Sequence, residues 1–150
     1  MRLEEELKVI KFRSPFHRAG VNVIFTGAWM VDRMNLLLKP YGISEQQFNV
    51  LRILLRQKGK AANLCTIQEG MIHRMSNATR LVEKLRKKGL VNREICERNR
   101  RKVDITITRK GLKLLDEIDP MVSKFGSQTF KKLTKNEAQL LGELLDKMRI

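Results

Sequence analysis

Ser76, Asn77, Thr79 and Arg80 stand within one short run, and Lys84 and Lys87 follow them at helical spacing. These side-chain types can read a pattern of hydrogen-bond donors and acceptors. Short hydroxyls let a backbone approach its partner closely, an arginine fork pairs with guanine or phosphate, and an asparagine amide matches adenine. Further along, Arg98, Arg100 and Arg101 crowd the stretch from Glu97 to Lys102. Such a cluster suits a nucleic-acid backbone or a narrow minor groove.

The charge around these residues is concentrated. The 150-residue chain has a formal net charge of +15, and the stretch from Ile72 to Lys113 holds 14 Lys and Arg against four Asp and Glu. Two-thirds of the excess therefore lies in under a third of the chain. Phosphate contacts need cations on one side of a fold, whereas charge that serves only solubility has no reason to cluster. The pI near 10.4 points to a polyanion, either nucleic acid or an anionic membrane surface. No run approaches the roughly 18 apolar residues of a membrane span, and the charged N-terminus is unlike a signal peptide. The expectation is a soluble cytoplasmic protein that does not engage a membrane.

Other chemistry is poorly provided for. His17 and His73 have no partners at metal-ligand spacing, and there is no glycine-rich phosphate loop or nucleophile elbow. No enzymatic activity, metal or cofactor is expected. Cys65 and Cys96 are too few and too far apart for a disulfide framework, and the expectation is two buried structural thiols.

The elements that must position these groups can be read from periodicity. Leu3 to Lys11 suits a short helix, and Ser14-Pro15 reads as the cap and first position of a long one running to Lys39. Its apolar positions Val21, Ile24, Phe25, Ala28, Met34, Leu37 and Leu38 overhang a small core, which implies a second copy of the chain as partner. Trp29, Met30 and Met34 could instead line a ligand cavity, although methionine at helical spacing is more often plain core. Ser44 with Gln47, Thr66 with Glu69 and Thr134 with Glu137 read as three capping boxes. Ser76 is expected to cap a helix to Lys88 that buries Ala78, Leu81, Val82 and Leu85, with Gly89 as its left-handed stop. Val91–Cys96 and Val103–Thr108 switch to a period of two and form a hairpin. A helix follows from about Arg109, bent or interrupted by Pro120 and broken near Gly126, before a last one whose apolar face of Leu140, Leu141, Leu144, Leu145 and Met148 is wide for packing on a single neighbour.

The run from Ser76 to Val91, with Arg93, Asn99-Arg100-Arg101 and Thr106 to Gly111, resembles the MarR family of winged-helix regulators. The resemblance covers the central half strongly and implies a mainly α fold with a small β-hairpin wing, a winged helix-turn-helix flanked by N- and C-terminal dimerisation helices. On that pattern residues 44–110 are the DNA-binding head, and 1–39 and 111–150 are the arms of a single domain spanning 1–150. The resemblance also implies a homodimer on a palindromic operator in double-stranded DNA, usually repressing transcription and commonly released by a small phenolic or aromatic effector. Ser76 to Arg80 match the start of the recognition helix, and Arg98 to Arg101 match the wing. One departure stands out: the family usually carries Asp before the arginine pair, and Asn99 here supplies no charge. The competing reading is an architectural or interaction module that uses the same charge to bind nucleic acid without sequence preference.

Overall fold

The structure is a computed structural model that describes residues 2–8, 10–95 and 103–149. The elements run α1 (Leu3–Leu7), α2 (Pro15–Leu38), a 3-10 turn (Lys39–Tyr41), α3 (Glu45–Arg56), α4 (Leu64–Gly70), α5 (Ala78–Lys87), β1 (Val91–Ile95), β2 (Val103–Ile107), α6 (Arg109–Phe130) and α7 (Lys135–Met148). None of the described helices is long and apolar enough to cross a membrane.

Local chemistry sets most of the boundaries. Ser14 accepts the His17 N–H ahead of Pro15, and Ser44 and Gln47 form a reciprocal box at the head of α3, as do Thr134 and Glu137 at the head of α7. Three boundaries differ from the periodicity reading. Helix α1 stops at Leu7 because Lys8 turns left-handed, at φ 53°. Asn63, not Thr66, caps α4: its Oδ1 takes both the Thr66 N–H and the Thr66 hydroxyl, which makes Thr66 the third residue of the helix. Helix α6 passes through Pro120 and Gly126 without a break to Phe130; the roughly 3 kcal/mol that an interior proline costs is offset by the rest of the 22-residue helix and its packing through Leu115 and Ile118.

Helix α3 stands at the centre. Val50, Leu51, Ile53 and Leu54 are buried against Leu38 of α2, Ile67 of α4, Leu81, Val82 and Leu85 of α5, Ile105 of β2, and Leu115 and Ile118 of α6, within a single cluster. The hairpin pairs Val91 with Ile107 and Ile95 with Val103 in antiparallel register. Ala62 adds two backbone hydrogen bonds to Ile105, at 2.9 and 2.8 Å, which tie the loop after α3 to the sheet.

The C-terminal segment differs from this core. Among the described residues every one from Lys131 to Leu144 is exposed, and Leu140, Leu141, Leu144 and Met148 of α7 turn toward solvent. The apolar face expected from the sequence is present, but nothing among the described residues covers Leu140, Leu141, Leu144 and Met148.

Hairpin and α6 meet at Gly111. A Cβ there would lie 2.4 Å from the Leu90 carbonyl oxygen and 2.7 Å from Ile107 Cγ1, and the nearer obstacle is backbone. Gly111→Ala is expected to lower unfolding stability by about 2 kcal/mol, read by urea titration at fixed protein concentration. An unchanged midpoint would mean that β1 and α6 are not held this closely.

Candidate nucleic-acid interface

Helix α5 is built with two faces. Ala78, Leu81, Val82 and Leu85 are buried, while Asn77, Thr79, Arg80, Lys84 and Lys87 are exposed and, with Glu83, line one surface concavity. The inward stripe fixes the rotation of the helix, and that rotation presents the cations together.

The start of the helix is set by Asn77, not Ser76. Asn77 Oδ1 accepts the Arg80 N–H at 2.9 Å, whereas Ser76 lies in the preceding turn, its hydroxyl oxygen buried and without a hydrogen-bond partner among the described residues. Both residues suit a cap; the path of the chain out of α4 decides between them. Gln68 of α4 accepts the Ala78 N–H at 3.4 Å and donates its amide to the Arg74 carbonyl, which places Asn77 at the first turn. The cap has a chemical consequence. A bidentate match to adenine uses both ends of an asparagine amide, and here the oxygen is already engaged.

Charge along the helix is sorted. Glu83 and Arg86 form a paired contact at 2.7 and 3.0 Å; the Arg86 hydrogen bond holds the Glu83 carboxyl below its ordinary pKa, with further lowering from Lys87 and Arg93. Arg86 is thereby committed to its own helix. Lys88 leaves the face as well, donating to the Gly42 carbonyl, while Lys110 donates to the Lys88 carbonyl at 2.9 Å and the Thr108 hydroxyl to Gly89 at 2.8 Å. Gly89 takes the left-handed stop expected of it, at φ +70°. These bonds lock the end of α5 to the hairpin and α6.

Two groups near the face were not anticipated. Arg74 and Met75 are exposed in the turn before α5, Met75 almost completely so. Nothing in the periodicity marks them, because the turn has no period. The tip residues Arg98, Arg100 and Arg101, together with Cys96, lie outside the described residues. Cys65 is exposed and not buried as expected: the short α4 buries Ile67, which puts Cys65 on the outer side, where its thiol donates to Glu69 Oε1 at 3.2 Å.

The expected lining of a ligand cavity also shifts. A concavity of about 620 Å³ between α2 and the start of α3 is lined by Asp32, Asn35, Leu36, Lys39, Gly42, Ile43 and Ser44. Trp29, Met30 and Met34 are not among its walls. Trp29 instead lies under the Arg33 guanidinium at 5.9 Å, and Met34 packs on the core. No group of three or more potential metal ligands occurs among the described residues.

The model of the MarR family matches residues 43–103. Among curated proteins, the chain is 26% identical to the transcriptional repressor MprA of Escherichia coli K12 over 119 residues, covering 79% of this chain and 68% of that one. Among solved structures it is similar to BpsR of Bordetella bronchiseptica, described for regulation of its DNA binding by 6-hydroxynicotinic acid, with a TM-score of 0.80 at 22% identity over 93% of this chain and 98% of that one. It is likewise similar to MepR of S. aureus in complex with DNA, with a TM-score of 0.77 at 20% identity over 86% and 94%.

Asn77→Ala is expected to lower stability by about 1 kcal/mol through loss of the cap, and Asn77→Ser to restore most of it. Urea unfolding of the two variants without DNA checks this. Equal losses in both would assign the capping role elsewhere.

Proposed function

We propose that this chain, whose residues 43–103 match the model of the MarR family, is a transcriptional regulator of that family and acts as a homodimeric repressor on a palindromic operator. The observation that carries this reading is the sharing of one exposed face of α5 by Asn77, Thr79, Arg80, Lys84 and Lys87, opposite the buried stripe that orients the helix. A helix presented in this way fits a major groove about 12 Å wide. In this reading Arg80 reads a guanine and Thr79 contacts a base or phosphate. Asn77 contributes its free amide hydrogens, Ser76 stands at the edge of the contact, and Lys84 and Lys87 bind phosphate. Arg98, Arg100 and Arg101, which fall between β1 and β2 in the sequence, anchor the flanking backbone or minor groove. The name of MprA as a repressor supports the direction of control.

The dimer reading rests on the unpartnered apolar face of α7. Leu140, Leu141, Leu144 and Met148 gain a buried environment only against a second copy, which also places two α5 helices on one DNA face. Residues 44–110 then act as head, and residues 1–39 and 111–150 as arms. We assign the concavity between α2 and α3 to an effector, a small organic acid whose carboxylate meets Lys39 and whose body lies on Leu36 and Ile43. The regulation of BpsR by 6-hydroxynicotinic acid supports that chemistry.

Gel-shift titration at physiological salt, using a duplex selected from a random library by the wild-type protein and a scrambled control, is expected to show a preference of at least about a thousandfold for the selected duplex. Equal affinity for both would replace the regulator reading with a non-specific architectural one. Arg80→Ala should cost about 1–3 kcal/mol at one position per half-site and relax the preference there. Lys87→Ala should weaken all duplexes alike and reduce the salt slope by about one. Identical behaviour of the two variants would refute the division between reading and anchoring. The paired change Leu141→Asp with Leu144→Asp should yield a monomer by light scattering and abolish selective binding, while a dimer that survived it would move the interface elsewhere.

A further inference from the structure

The DNA-facing arrangement leaves one part-buried acid unused. Glu45 is the first residue of α3; its side chain is only 12% exposed, and its Oε2 is buried without a hydrogen-bond partner. Facing it, 3.6 Å away, is Nε2 of His73, which belongs to the turn between α4 and α5. That separation is too long for a hydrogen bond, so attraction between the two depends on charge. The other ties of the turn are neutral: Asn49 of α3 takes the Ile72 N–H at 2.9 Å, and the Gln68 amide bridges Arg74 and Ala78. Protons in the range where histidine titrates leave those bonds untouched.

We propose that Glu45 and His73 are positioning residues for α5: imidazolium at His73 holds the turn against α3, and that hold is released as His73 deprotonates. This rests on the reading that α5 binds DNA. Other charged groups nearby are accounted for. Asp32 of α2 and Lys39 of the 3-10 turn line the concavity beside Ser44, while Asn35 of α2 gives Glu45 a neutral contact by taking its N–H at 2.8 Å. On α4, Glu69 is exposed and accepts from Cys65; in the turn itself, Arg74 is exposed. Among the described residues His73 is the one charge that acts on the Glu45 carboxylate.

The sign follows from burial. Desolvation raises the Glu45 pKa above the ordinary carboxylate value, and His73 opposes it. Once ionised, the carboxylate costs the fold stability, and imidazolium offsets that cost. The offset needs imidazolium and is absent once His73 is neutral. In more acidic solution it also ends, as Glu45 itself takes up a proton.

The test uses the full-length protein and the duplex that the wild type selects, at constant ionic strength. Wild-type affinity is expected to fall about three- to fivefold between about pH 6 and about pH 8, a screened partly exposed pair being worth no more. Glu45→Gln keeps the shape and removes the charge, so its profile should be flat over this range and its affinity at the alkaline end no weaker than wild type. His73→Gln should be flat as well. If Glu45→Gln keeps the wild-type slope, His73 acts directly on phosphate and the proposal is wrong. In the free protein, urea unfolding of Glu45→Gln, His73→Gln and the double variant at about pH 6 should give a coupling between the two sites, and strictly additive effects overturn the pairing whether or not DNA is bound. A wild-type protein that selects no duplex refutes the proposed function, and the unfolding cycle still decides the pairing.

Discussion

The burial on all sides of one turn of α3 is the constraint on which the core depends. Gln47, Phe48, Asn49, Val50 and Leu51 are buried in succession, and at about 100° per residue such a run leaves that turn no wet face. Polar side chains admitted there must be hydrogen-bonded or they cost about 1–3 kcal/mol each. Gln47 meets this need locally by accepting the Ser44 N–H, and Asn49 meets it at long range by accepting the Ile72 N–H. The second bond connects the core to the turn that leads into α5. Satisfying a buried amide and orienting α5 are thus one event in this fold, and Glu45, whose Oε2 finds no such bond, lies one turn away.

The exposed face of α5 works against its own helix. Arg80, Lys84 and Lys87 are spaced four and three residues apart, where like charges destabilise a helix by about 0.2–0.5 kcal/mol per pair. The compensation is visible. Lys84, Arg86 and Lys87 lie in the last turn, where cations favour the helix dipole, and Glu83 neutralises Arg86. Four buried apolar residues on the opposite side contribute far more than the repulsion removes. A cationic surface can be kept here because the core supplies the helix with its stability.

What the sequence disclosed follows the range of the interaction. The boxes at Ser44 and Thr134, the stop at Gly89 and the inward stripe of α5 depend on residues within a turn or two, and all were legible. Asn63 and Asn77 were misread because each stands beside a second residue able to cap, and the choice is made by how the chain leaves the preceding element. Cys65 was misread because a seven-residue helix shows too little periodicity to say which side is buried. The Glu45–His73 contact could not be read at all, since the two residues belong to elements that only the tertiary fold brings together. Of the site, the face of α5 was recoverable and the turn that aims it was not.

The arms pose a problem that the single chain does not solve. An isolated helix of 14 residues is marginal in water, and α7 exposes the leucines that should stabilise it. Each leucine, once buried, is worth about 1.5–3 kcal/mol, so under the proposed dimer the stability of α7 and the spacing of the two heads come from the same contacts. Any ligand that shifts α2 relative to α3 would act on that spacing. Asn35 lines the concavity between them and also accepts the Glu45 N–H, so the wall of the proposed effector site is hydrogen-bonded to the helix end that faces His73. Helix α2, the concavity and the turn before α5 are then joined through Asn35, Glu45 and His73. A small displacement of α2 has a short physical route to α5 and does not need to deform the core, which at its density resists deformation.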